Sequence, residues 1–261
     1  MFYTRQKMFL NIHQVIWHLL QWMFDVVDSA RSFVSFIKWN YKNFLRKMNH
    51  EDITYEKELI EKNKSNLTKL PVHMAVILGT ELPDFEALSK IIFWCLSAGI
   101  PNISFYDCQG LLVSNNHKMY DCFSKLRKDN DRICWNLNTS DVCGGQIIYK
   151  NGMKKELSVN FLSPRECKPK LAEICRSLAD NEDLQPEHIN INLMHEKFAS
   201  IINPDPDIAI YFGEICSTYG FLPWHIRLTE FFSIESQQVL TVNAFLNTLF
   251  SYSKCEQRFG Y

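Results

Sequence analysis

The first forty residues carry a regular polar stripe. Asn11, Gln14, His18, Gln21, Asp25, Asp28, Ser32 and Ser35 recur at steps of three and four, the spacing that stacks side chains on one face of an α-helix. Ile12, Val15, Ile16, Leu19, Leu20, Met23 and Val27 fall on the opposite face, and Met8 to Phe24 contains no Lys, Arg, Asp or Glu. A bilayer crossing takes about 20 predominantly apolar residues, so the run is marginal for that task. Three arrangements fit the pattern: a helix lying in a membrane interface, one crossing it with the stripe against a partner helix, or one packed on the protein's own core. Trp17, Trp22, Phe33, Phe36 and Trp39 favour contact with membrane lipid. Arg31, Lys38, Lys42, Arg46 and Lys47 place the remainder of the chain on the cytosolic side. The run lacks the small-x-small close of a cleaved signal peptide. Residues 1–48 are therefore read as a membrane-associated helical segment, and 49–69, rich in charge, as a connecting helix or linker.

From Leu70 the pattern changes. VHMAVIL (72–78) is continuously apolar, as in a parallel strand buried on both faces. LPDFEALSKIIFWCLSAGI predicts a helix: Asp84 caps its start, Phe85, Leu88, Ile91, Ile92, Cys95 and Leu96 recur at helical spacing, and Gly99 ends it. NISFYD (102–107) is the next strand, so the three make a βαβ unit with parallel strands. Helices are predicted at Asn116–Arg127 and Arg165–Asp180. Further strands are expected in GQIIYKNG, ELSVNFL, DIAIYFG (207–213) and HIRLTEFFSI. Val242, Phe245, Leu246, Leu249 and Phe250 mark a last helix. Residues 70–261 are an α/β domain with a parallel sheet flanked by helices.

Composition narrows the function. The 261 residues carry 28 Lys+Arg against 29 Asp+Glu, a net charge of −1. Nucleic-acid binding, which calls for a basic excess, is not expected. Nine cysteines without a CxxC spacing read as reduced, buried thiols of a cytosol-like compartment rather than a zinc site.

Ligands of open α/β sheets bind beyond the carboxyl ends of the strands. The segments there are GTELPD after Leu78, CQGLLVSNN after Asp107 and EICSTYGFLPWH after Gly213. None contains a nucleotide-binding glycine loop, a nucleophile elbow or a metal-ligand set. Asp107 and Gln109 stand at a strand end and are read as structural or vestigial. His225 is read as a structural histidine, and Tyr106 and Phe105 as core.

YGFLPWHIRLTEFFSI and CEQRFGY, with VHMAVILG, FWCLSAGI, ISFYDCQG and NPDPDIAIYFG, resemble the Nogo-B receptor family, the non-catalytic subunit of the dehydrodolichyl diphosphate synthase complex. The likeness runs from about Leu70 to Tyr261 and is weaker from about Asp121 to Ser200. It implies the undecaprenyl-diphosphate-synthase fold, dimerising along one side, and a place in an endoplasmic reticulum membrane. It also implies a catalytic cis-prenyltransferase partner that uses Mg²⁺, farnesyl diphosphate and isopentenyl diphosphate to make a dolichol precursor for protein glycosylation.

The departures from catalytic cis-prenyltransferases matter as much. Those enzymes carry, after the first strand, a D-G-N-R-R-W-like motif whose Asp holds Mg²⁺; here Gly79-Thr80-Glu81-Leu82-Pro83-Asp84 stands there. Their R-T-S-G-E-x-R after a late strand is replaced by Gly213-Glu214-Ile215-Cys216, which has no Arg. Departing pyrophosphate needs its charge neutralised. At about 1.5–3 kcal/mol per charge-assisted hydrogen bond, losing one Asp and two Arg removes on the order of 5–8 kcal/mol, roughly four or more decades of rate. The chain is expected to be inert alone. The resemblance gives Arg258 and Gly260 a role in trans: Arg258 presents a planar fork to phosphate oxygens, and Gly260 lets backbone N–H groups approach them. Trp224, Arg227 and Glu230 lie in the matching block and are assigned to the dimer interface. The rival reading is a membrane receptor or scaffold that uses the degenerate fold to bind protein.

Overall fold

The computed structural model describes residues 13–31, 33–34, 37, 53–126, 133–136, 157–181, 184–213 and 215–256. The chain divides into two compact units, Met1–His50 and Glu51–Tyr261. In the first, residues 13–31 form a helix, α1, and every one of them is exposed. Among the described residues no helix is long and apolar enough to cross a membrane.

The second unit is built on a six-stranded sheet of order β3-β4-β2-β1-β5-β6. Its strands are β1 (His73–Ile77), β2 (Asn102–Tyr106), β3 (Ile133–Asn136), β4 (Leu157–Leu162), β5 (Ile208–Phe212) and β6 (Glu230–Ile234). All pairings are parallel. The helices are α2 (Ile53–Lys64), α3 (Phe85–Ala98), α4 (Leu111–Ser114), α5 (Asn116–Leu126), α6 (Lys168–Ala179), α7 (Ile191–Phe198) and α8 (Val242–Lys254). All five residues of β1 are buried, which is why its sequence shows no alternation.

The pleat sorts side chains onto two faces. Met74, Val76, Ile103, Phe105, Val159, Phe161, Ile208 and Ile210 pack with residues of α2, α3, α5 and α8 in the larger core. Ala75, Ile77, Tyr106, Leu162 and Ala209 pack with Ile202, Phe221 and Leu222 in a second one. A polar chain shares that second face. His73 Nδ1 lies 2.6 Å from the Pro204 carbonyl. A carbonyl only accepts, so Nδ1 carries the proton and Nε2 accepts from the Ser104 hydroxyl at 2.8 Å. Asn160 donates to that hydroxyl at 3.1 Å, and Asn136 donates to Asn160 Oδ1 at 2.6 Å. His73 is fully buried and burial drives its pKa down to about 4, so it is neutral.

The charged stretch at 53–64 is a helix docked on α3. Glu56 is 1% exposed, and its carboxylate accepts from Trp94 Nε1 at 2.7 Å and Lys90 Nζ at 3.1 Å. α3 has the expected caps: Asp84 Oδ1 accepts from the Ala87 N–H, and Gly99 is left-handed. The helix expected over 165–180 is divided. A capping box between Ser163 and Glu166 closes a 3₁₀ turn at Pro164–Glu166, and α6 begins after Cys167. β3 went unanticipated, its four residues being too short to show a period. The strand expected in GQIIYKNG lies outside the described residues. The eight described cysteines are free thiols, but only Cys95 and Cys167 are buried. Cys175 and Cys216 are exposed, the former on the solvent side of α6, whose buried residues are Ile174 and Leu178.

Candidate functional site

The carboxyl ends of β1, β2 and β5 meet where an open α/β sheet binds its ligand. The carboxylates there are engaged in holding backbone. Glu81 Oε2 accepts from both the main-chain N–H and the Nε2 of Gln237, each at 3.0 Å. Gln237 is 2% exposed; it accepts from the Asp84 N–H at 2.9 Å and donates to the Leu82 carbonyl at 3.1 Å. Asp84 caps α3 through the Ala87 N–H at 3.1 Å. Asp107 starts α4 by accepting from the Leu111 and Leu112 N–H groups at 2.7 and 3.1 Å.

The space above β1 is filled by the chain itself. Tyr219 adopts a left-handed φ of 49°, and its carbonyl accepts from the Tyr106 hydroxyl at 2.7 Å. Its ring lies over Gly79, where a Cβ would meet it at 3.0 Å. Gly79 is needed twice, for that contact and for its φ of +64°. Gly79→Ala is expected to cost about 2 kcal/mol, from left-handed strain and the ring contact. Urea denaturation measures this, and a loss below about 0.5 kcal/mol would show that the Tyr219 loop is not packed there.

Mg²⁺ is the ion implied at such a position, and these residues do not fit it. Glu81 Oε2, Asp84 Oδ1 and both oxygens of Asp107 hold backbone or amide hydrogens, and among the described residues no three His, Cys, Asp or Glu side chains gather as a metal set. Lys168, exposed, passes within 3.9 Å of a Cβ placed on Gly220. The segment from Gly213 to Leu222 carries no arginine.

Arg258 and Gly260 lie outside the described residues, as does Glu214. The approach to Arg258 is described and anchored. Thr68 donates to the Ser253 carbonyl and Lys69 to the Cys255 carbonyl, each at 2.6 Å. Lys69 also sits 4.4 Å above the Tyr252 ring. Burial pushes the Tyr252 phenol up to about 12, and Asp207, Cys255 and Glu230 add to the shift. α8 therefore ends at the amino side of β1, β5 and β6, away from the strand ends capped by Tyr219.

Trp224 and Arg227 come together. Trp224 stacks on Phe198 at 5.0 Å, and the Arg227 guanidinium lies 5.5 Å from the Trp224 ring and donates to His195 Nε2 at 2.7 Å. Glu230 belongs to another set: it opens β6, and its N–H donates to the Asp207 carbonyl at 3.0 Å. His225 is buried, with Nε2 donating to the Phe198 carbonyl at 3.1 Å. Sequence reasoning missed Tyr219, Gln237 and His195, whose partners are brought to them only by the fold.

No family model matches the chain. The human protein named dehydrodolichyl diphosphate synthase complex subunit NUS1 is 32% identical over 202 residues, covering 75% of this chain and 68% of that one. Among solved structures, a probable undecaprenyl diphosphate synthase from Campylobacter jejuni superposes with a TM-score of 0.50 at 13% identity, over 74% of this chain and 100% of that one. Lavandulyl diphosphate synthase from Lavandula x intermedia gives a TM-score of 0.51 at 15% identity, over 73% and 98%. A prenyltransferase-type sheet whose ligand end is closed by its own tyrosine, joined to this likeness in sequence, identifies the chain as a member of the family of the dehydrodolichyl diphosphate synthase complex subunit NUS1.

Proposed function

We propose that this chain is the accessory subunit of a heteromeric cis-prenyltransferase that extends farnesyl diphosphate with isopentenyl diphosphate into a long polyprenyl diphosphate, the dolichol precursor. The observation that carries the reading is the closed strand end: Tyr219 occupies the space over Gly79, and Glu81, Asp84 and Asp107 serve the backbone. Such a site neutralises no diphosphate. The catalytic partner therefore supplies the Asp and Arg residues and holds Mg²⁺. This chain supplies the dimer surface, with Trp224, Arg227 and Glu230 on it, and the Arg258-x-Gly260 segment in trans.

The exit of α8 supports that division. Ser253 and Cys255 are tied to Thr68 and Lys69 at the amino side of the sheet, so the last described turn stands away from the chain's own strand ends. The helix at residues 13–31 supports membrane association: Trp17, Trp22 and Phe24 are 62%, 64% and 77% exposed. Aromatic side chains on a polar-striped helix partition into headgroup regions, where a long lipid product would be delivered. The location is the endoplasmic reticulum membrane, with residues 70–261 in the cytosol.

Co-purification with the catalytic cis-prenyltransferase subunit tests the reading, with isopentenyl incorporation then measured for the pair and for each chain alone. The expected result is a stable pair, at least tenfold more active than the partner alone, and no turnover by this chain alone. A stable pair no more active than the partner alone would favour the scaffold.

A further inference from the structure

On the second face of the sheet, a cleft of about 420 Å³ opens between α7 and the segment leading into β5. Its polar lining is His195, Glu196, Asn203, Asp205 and His225, with Phe198 at its wall. His225 is 3% exposed. Its Nε2–H is used on the Phe198 carbonyl, which leaves Nδ1 as an acceptor. That nitrogen is buried and has no hydrogen-bond partner among the described residues. A buried polar atom left unmade costs about 1–3 kcal/mol, so a partner is called for.

The surroundings specify its chemistry. Burial holds the His225 imidazole below its usual pKa, while Asp205 pulls the other way and His195 adds to the lowering. The ring presents a lone pair, not a charge. Asp205 and Glu196 are exposed carboxylates, and neither forms a salt bridge among the described residues. The nearby cation, Arg227, is turned onto His195 Nε2 at 2.7 Å. A single water would satisfy Nδ1, but it occupies only about 30 Å³. The complement of one lone pair, two carboxylates and an aromatic wall is a hydrogen-bonding cation on an aliphatic stem.

We propose that this cleft receives a lysine or arginine side chain of the catalytic partner subunit. The inference rests on the heteromeric reading above. The cleft adjoins Trp224 and Arg227 through Phe198 and His195, so a side chain seated in it extends that contact surface. The carboxylates steer the approach, and the His225 imidazole stands in the wall of the cleft.

The test is the dissociation constant of the full chain, in detergent, for the catalytic subunit at about 50 and 300 mM salt. The double variant Glu196→Gln/Asp205→Asn is expected to bind about tenfold more weakly and to lose much of the salt dependence. Asp205→Lys is expected to bind about a hundredfold more weakly. Asp180→Asn, an exposed carboxylate elsewhere, is expected to leave affinity unchanged. Melting temperatures identify any variant that has lost its fold; Asp205→Lys, a single change at an exposed position, then decides. The cleft inference is overturned if these variants bind within twofold of wild type, or if Asp180→Asn weakens binding equally. Should the wild-type chain fail to bind the catalytic subunit at all, the functional reading falls with it. Binding that is intact and indifferent to the cleft removes this inference alone.

Discussion

In the assembled complex, Arg258→Ala is expected to lower isopentenyl incorporation about a hundredfold while the two subunits remain together. A guanidinium gripping phosphate makes two parallel charge-assisted hydrogen bonds, each worth about 1.5–3 kcal/mol. A hundredfold loss corresponds to about 2.7 kcal/mol, just below the roughly 3–6 kcal/mol that two such bonds would sum to. Lysine keeps the charge but not the fork, so Arg258→Lys should recover only part of the rate. Gly260→Ala should also slow the reaction, because a Cβ there hinders the close approach of backbone N–H groups to phosphate. Undiminished turnover by Arg258→Ala in an intact complex would favour the scaffold reading.

The second large effect is acid sensitivity centred on His73. Its folded pKa is lowered from 6.5 to about 4, chiefly by burial, with the Pro204 carbonyl opposing and His225 adding to the shift. A histidine with a depressed folded value takes up its proton more readily when unfolded. Its contribution is thus fully present above pH 6.5 and is lost as pH falls through the window from 6.5 toward 4. A gap of that size corresponds to about 3 kcal/mol. His225, also lowered by burial, acts in the same direction. The check is urea unfolding of the full chain at pH 7 and pH 4.5, wild type against His73→Gln. The wild type should lose about 2–3 kcal/mol more than the variant over that interval; equal losses would show that His73 is solvated or already charged.

The globular fold was largely legible from sequence because its strongest elements announce themselves locally. The unbroken run over 72–78 and the Asp84 and Gly99 signals around α3 gave β1 and the helix after it, since caps and buried parallel strands depend on near neighbours. The four residues of β3 carry no readable period, and the docking of α2, read as a connecting helix or linker, is not visible because Glu56 is a charge whose burial depends on Trp94 and Lys90, more than thirty residues away. The site divides in the same way. The loss of Asp and Arg at the strand ends is visible in the letters. That Tyr219 covers Gly79, 140 positions earlier, and that Gln237 holds Glu81 are facts of tertiary packing. So are the contacts of Trp224 and Arg227 with Phe198 and His195, and that of Glu230 with Asp207.

The claim on which the account turns is that the Arg258-x-Gly260 segment serves a neighbour's pocket. A photo-crosslinking residue placed at Phe259 in the co-purified complex tests it directly, with captured peptides read by mass spectrometry. The account predicts capture of partner peptides from its diphosphate-binding segments, diminished when isopentenyl diphosphate is bound. Capture confined to this chain, or to partner surfaces remote from that pocket, would contradict it.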